Sequence, residues 1–201
     1  MKTGIANRNE IAKIARVLKN GGIIIYPTET SYGIGANALN KKAVLKVHRA
    51  KRQPTNKPIS IIVPNVKVAK KFGKISRDAE KIMKKFMPGP LTLVVERQGK
   101  VPNILSRKTI AFRISSDRTA DAIAKRFGSA ITATSANAHG KPPIYSFKRA
   151  LEEFGGKVDL IVNAGNLPKR KASTIYDMTQ KKVLRKGPVS GKEIEKAMQN
   201  E

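Results

Sequence analysis

The chain has no cysteine, no tryptophan, two histidines and 14 acidic residues among 201. Without cysteine there is neither a disulfide framework nor a thiolate metal site. His48 and His139 alone do not make a zinc centre, so no metal ligand is assigned. The thiol-free composition agrees with a reducing cytosol, and a cytoplasmic location is expected. No run of about 18 apolar residues occurs, so no segment is expected to span a membrane. The first 22 residues lack a long apolar core and are not read as a signal peptide. Six Phe and four Tyr leave little for base stacking on single strands. Two chemical motifs are also missing: the G-x-x-x-x-G-K-[ST] phosphate loop and the G-x-S-x-G nucleophile elbow. Gly33-x-Gly35-x-x-Ala38 matches the dinucleotide fingerprint in letters only. That motif needs a ribose-binding acid about 20 residues on, and the first acid after Glu29 is Asp78.

The shortage of acids sets the charge. There are 41 basic residues, a net charge of +27, and no Asp or Glu from Thr30 to Arg77. One reading is a solvated surface. The other is a polyanionic substrate or partner, because a summed positive field concentrates anions in clefts. Plain nucleic-acid binding would weaken steeply with salt.

What is present reads as α/β, with no internal repeat and no composition break. Ile11, Ile14, Ala15 and Leu18 share a helical face over 8–19, and Gly21-Gly22 stops that helix. Ile23-Ile24-Ile25 reads as a buried strand. Pro27 to Asn40 reads as loop. Residues 41–50 predict a second helix, and 64–86 a helix in two pieces broken near Gly73. LTLVVE, TIAFRI, SAITAT, VDLIVN, STIYDM and KKVLRK predict strands. Asp117 is placed to cap a helix over 118–127, another helix lies near 147–155, and Ser190-Gly-Lys-Glu193 is a capping box for the last one. The expected architecture is a twisted mixed sheet flanked by helices.

Four loops beside strand ends carry most of the chemistry: Pro27–Gly35, Ala50–Pro58, Thr132–Asn137 and Lys171–Tyr176. Each is rich in hydroxyls, amides or cations. Ser, Thr and Asn can hold a carboxylate or a ribose, while Lys and Arg hold phosphates. Singly, each loop is also what ordinary turn chemistry produces.

The wording of these loops goes further. PTETSYGIGANA, KRQPTNKPI, MPGPLT, IAFRI, ATSAN and STIYD…VLRKGP, in that order, resemble the signature segments of the YrdC-like family of L-threonylcarbamoyladenylate synthases. The resemblance runs from about residue 10 to 196, in the single-domain form, so one domain over 1–201 is expected. It implies an α/β fold around a concave basic groove. It also implies a reaction: L-threonine, bicarbonate or CO2, and ATP give threonylcarbamoyl-adenylate and pyrophosphate. Mg2+ would accompany the triphosphate. A tRNA threonylcarbamoyltransferase complex would then carry the group to tRNA.

Carried over by position, Thr30, Arg113 and Ser173 would contact threonine, Arg113 through its carboxylate. Thr109, Ser135, Asn137 and Arg185 would lie on the nucleotide side. Lys51 matches the lysine of the family's K-x-R-P element and, with Arg113, is the catalytic expectation. Its neighbours Arg52, Gln53 and Lys57 join the nucleotide set. Departures fall there: Gln53 stands where the family has arginine, Lys57 where many members have asparagine, and Ile62 where some have histidine. An amide lacks the bidentate, charge-assisted contact of a guanidinium. For Arg113 a structural ion pair is the other reading. Glu29 would either orient Lys51 or a backbone amide, or serve as a structural partner. The alternative function is a non-catalytic RNA- or nucleotide-binding module using the same groove. A related carbamoyl-adenylate chemistry on another acceptor, as in hydrogenase-maturation relatives, uses extra domains and cysteine-bearing elements that this chain lacks.

Overall fold

Ile23, Ile24 and Ile25 are fully buried on both faces, which is why this run alternates with nothing polar. The computed structural model describes residues 2–99 and 101–199. In chain order the elements are β1 (Gly4–Asn7), α1 (Ile11–Lys19), β2 (Ile23–Pro27), β3 (Tyr32–Ala36), α2 (Lys41–Ala50) and β4 (Ile61–Ile62). There follow α3 (Val66–Ala69), α4 (Arg77–Phe86), β5 (Leu91–Glu96), β6 (Thr109–Arg113), α5 (Arg118–Phe127), β7 (Ile131–Thr132) and β8 (Thr134–Ser135). The chain ends with α6 (Phe147–Phe154), β9 (Leu160–Asn163), β10 (Thr174–Asp177), β11 (Lys182–Arg185) and α7 (Gly191–Gln199).

The strands form two mixed sheets rather than one. The first runs β1-β9-β2-β3-β8 and the second β11-β10-β5-β6-β4-β7. SAITATS joins them. Its first half is β7 of the second sheet, its second half is β8 of the first, and Ala133 sits at the switch. An isolated bridge between Asn37 and Ile131 closes the same seam. No helix among the described residues is long and apolar enough to cross a membrane.

The region after Pro27 is shorter as a loop than its composition suggests. Only Thr28–Ser31 and Ala38–Asn40 fall outside strand pairing, the second turn leading into α2. Tyr32–Ala36 then pairs antiparallel with β2, with Tyr26 opposite Gly33. The glycines mislead because they usually mark turns. Here they make room for an aromatic ring: a Cβ on Gly35 would lie 2.9 Å from Tyr26 Cε1. The buried Tyr26 hydroxyl donates to Thr132 O at 3.1 Å, tying β2 to the seam.

Helix starts follow local chemistry. Asn40, Ser76, Asp117 and Ser146 accept from backbone amides at the heads of α2, α4, α5 and α6. Glu193 Oε2 accepts from Ser190 N at 2.8 Å, completing the box that opens α7. Helices α1 and α5 cover one face of the first sheet through Ile14, Leu18, Ala120 and Ile123, while α4 packs with α7.

Candidate active site

The loops singled out in the sequence meet at the seam. A cavity of about 430 Å3 opens there. Thr30 and Ser31 of the β2–β3 turn and Gly33 of β3 line one side, and Thr134 and Ser135 of β8 continue it. The second sheet contributes Thr92, Ala111, Arg113 and Arg185, and the preceding loop Ser173. Its cations are Lys57, Arg113, Arg170 and Arg185, and no carboxylate is among the described lining residues. Such a lining suits an anion.

Arg113 ends β6, and its Nη1 lies 2.9 Å from Glu29 Oε1, both side chains being buried. The contact is an ion pair without hydrogen-bond alignment. Glu29 Oε1 and Arg113 Nε both lack a hydrogen-bond partner among the described residues. The other carboxylate oxygen of Glu29 accepts from Ser115 Oγ at 2.5 Å. Glu29 is thus the partner of Arg113, not of Lys51. Ile62 faces Arg113 in register and is fully buried in the apolar cluster under α1 and α5.

Ser173 is held from two sides. Its Oγ lies 3.0 Å from Thr92 Oγ1, and Arg185 Nη2 donates to it at 2.9 Å. Arg185 Nε also donates to the Ser173 carbonyl at 2.9 Å. Burial, and then the charge of Arg113, lower the Arg185 pKa. Gly187 seats this group. A Cβ there would stand 2.7 Å from Ser173 C and closer still to Thr174 N and Ala172 O. Gly187→Ala is therefore expected to displace Ser173. It should lower stability by about 1–3 kcal/mol in a denaturant titration.

The residues expected on the nucleotide side divide. Ser135 and Lys57 line the cavity, and Lys57 Nζ sits 3.0 Å from His139 Nδ1. Lys51 does not line it. Its ammonium donates to the carbonyls of Ser135 and Asn137, the latter at 2.9 Å, and to Asn137 Oδ1 at 3.3 Å. Asn137 is equally committed. Its Oδ1 also accepts from Ser135 Oγ, and its Nδ2 donates to the carbonyls of Ala138 and Lys141. Gln53 is buried and turned inward, its Nε2 3.2 Å from His48 Nδ1. Arg52, with φ 50°, faces a different cavity. The two side chains point different ways because Arg52 takes a left-handed turn conformation just past α2, not because the segment is extended. Thr109 opens β6, four residues from Arg113 and on the same strand face, about 13 Å away, and is not part of the lining.

Thr92, Arg170 and Tyr145 line the cavity without having been singled out. Thr92 lies in the P-G-P-L-T segment, and Arg170 in the Lys169–Lys171 cationic run just before the fourth loop. Those were the signals for Thr92 and Arg170, and Tyr145 carried none.

The Sua5/YciO/YrdC family model, described as "Telomere recombination", matches residues 16–187. The chain belongs to that family. Among its relatives, a Methanocaldococcus jannaschii protein is 36% identical over 182 residues, covering 89% of this chain and 86% of its own length. The threonylcarbamoyl-AMP synthase of Pyrococcus abyssi is 34% identical over 189 residues, 92% of this chain and 56% of that protein. A crystal structure of P. abyssi Sua5 complexed with L-threonine superposes with a TM-score of 0.90 at 32% identity, covering 98% of this chain and 60% of that one. This chain therefore spans little more than half of the P. abyssi protein.

Proposed function

We propose that the chain, as a single domain over 1–201, is a threonylcarbamoyl-adenylate synthase. It would join L-threonine, bicarbonate or CO2, and ATP into threonylcarbamoyl-adenylate, releasing pyrophosphate. A cytoplasmic enzyme of tRNA modification is the corresponding role, and a threonylcarbamoyltransferase complex would consume the product. The observation that carries this reading is the cation-lined cavity with Arg113 at its wall, in a chain so similar to a relative crystallised with threonine. The same likeness favours the catalytic reading over a binding module that only holds RNA.

In residue terms, threonine's amine first adds to CO2, losing a proton to give a carbamate. A carbamate oxygen then attacks the α-phosphorus of ATP, and the bond to the pyrophosphate oxygen breaks. No enzyme nucleophile is required. Positioning and charge stabilisation supply the catalysis. Arg113 would take the threonine carboxylate, with Thr30 and Ser173 beside it. Lys57, Arg170 and Arg185 would offset phosphate charge, assisted by Ser135. Thr109, further along β6, suits the nucleoside end. Lys51 and Asn137 act by shaping the Ser135 loop. No carboxylate is among the described lining residues, so Mg2+ would enter as part of the substrate, held by the triphosphate and water.

The test is pyrophosphate release from ATP with bicarbonate, compared for L-threonine, L-serine and no amino acid. Release that depends on threonine is expected. ATP binding without release would overturn the assignment.

A further inference from the structure

The largest cavity described lies outside the site above. It measures about 790 Å3 and lies beside the C-terminal end of α2, the 138–146 loop, α6 and the segment after β9. It shares only Pro143 and Tyr145 with the threonine-side cavity, so one loop separates the two. Its rim carries Arg52, Lys141, Lys157 and Lys169, all exposed and none in an ion pair among the described residues. A fifth cation, Arg149, pairs with Glu152. The one carboxylate in the lining, Glu153, is engaged in accepting from Ala138 N. The floor is aliphatic: Pro143, with the buried Ile144 and Leu167.

We infer that this cavity docks an acidic segment of a partner protein, one that presents apolar side chains between its carboxylates. The cationic rim calls for an anion. The aliphatic floor calls for apolar side chains, whose burial there contributes what charge alone does not. Nucleic acid fits less well, because its bases stack on aromatic rings and Tyr145 is the one aromatic in the lining. A free phosphate fits poorly too, since Arg52, Lys141, Lys157 and Lys169 are all exposed and none supplies a buried cation to hold it. A second copy of this chain is disfavoured by its own +27 charge. The placement, one loop away from the proposed synthase site, suits a partner that receives an adenylate prone to hydrolysis. That last point rests on the proposed function, whereas the docking surface itself does not.

The test uses the full chain and three fluorescein-labelled probes of equal charge. These are a short peptide of glutamates interspersed with leucines, an all-glutamate peptide, and an RNA oligonucleotide. Anisotropy titration at fixed salt should show the leucine-bearing peptide binding about tenfold tighter than the all-glutamate one, the least that one buried leucine contributes. The pair Lys141→Glu with Lys169→Glu should remove that binding. Lys67→Glu with Lys84→Glu, exposed on α3 and α4, should leave it within about twofold. Equal affinity for both peptides, tighter binding of RNA, an equal loss in the control pair, or no saturable binding would each overturn the inference. Threonine-dependent pyrophosphate release by the Lys141/Lys169 variant reports separately on the synthase reading, since neither side chain is placed in that machinery.

Discussion

Arg113→Ala should abolish threonine-dependent pyrophosphate release, with kcat/KM for threonine falling by about 100- to 1,000-fold. Two effects combine. The variant loses the guanidinium proposed to hold the threonine carboxylate. It also strands Glu29 as a buried carboxylate with only Ser115 as donor. Removing one partner of a buried pair costs about 3–5 kcal/mol of stability, which urea denaturation will show. The double variant Arg113→Ala with Glu29→Gln separates the effects. Neutralising Glu29 should restore most of the stability and none of the turnover. Recovery of turnover in the double variant would mean that Arg113 serves only as a structural ion pair.

Lys51→Met is expected to produce the second largest effect, acting through the loop it clamps. Three oxygen acceptors, two of them carbonyls, converge on the Lys51 ammonium. Leaving buried acceptors bare costs about 1–3 kcal/mol apiece. Ser135 and Asn137 would lose their register, so KM for ATP should rise about tenfold or more while threonine affinity changes less. A pH series distinguishes this clamp from a simple phosphate ligand. Burial, and then the neighbouring Lys57, lower the Lys51 pKa to about 8, against about 10.4 for an unfolded lysine. Between these values the unfolded chain binds more protons, so the Lys51 contribution to stability rises with pH across that window. The wild-type chain should therefore gain thermal stability relative to Lys51→Met between pH 8 and about 10. A relative loss would show that the three oxygens hold the ammonium more strongly than burial opposes it.

Much of this site was legible because it is written in loops whose letters have few other uses. Thr30, Arg113, Ser135, Ser173 and Arg185 all reach one cavity, as the motif order implies. Helical faces were legible as well, since periodic apolar positions bury together: Ile14, Ala15 and Leu18 do so in α1. Three things were not. The strand Tyr32–Ala36 reads as loop because two glycines imitate turn chemistry, and the ring that needs them, Tyr26, lies on the neighbouring strand. The split of SAITATS between two sheets leaves no local mark, since both halves are extended and only partners far along the chain differ. The direction of Lys51, Arg52 and Gln53 depends on what lies around each. Lys51 and Gln53 are buried against the Asn137 loop and His48, and Arg52 is turned out with a positive φ. Gln53 thus replaces the family's arginine at a position that packs inward here. The cation left facing the cavity from this loop is Lys57.

The switch at Ala133 has a mechanical consequence. Neither sheet owns the cavity, because one wall is Gly33 and Ser135 of the first and the other is Thr92 and Arg113 of the second. Any molecule lodged between them acts as a rivet across the halves of the protein. Threonine and ATP would then report on global cohesion as much as on local fit. Their occupancy would raise the free energy of every opening that parts the two sheets, in proportion to the logarithm of ligand concentration.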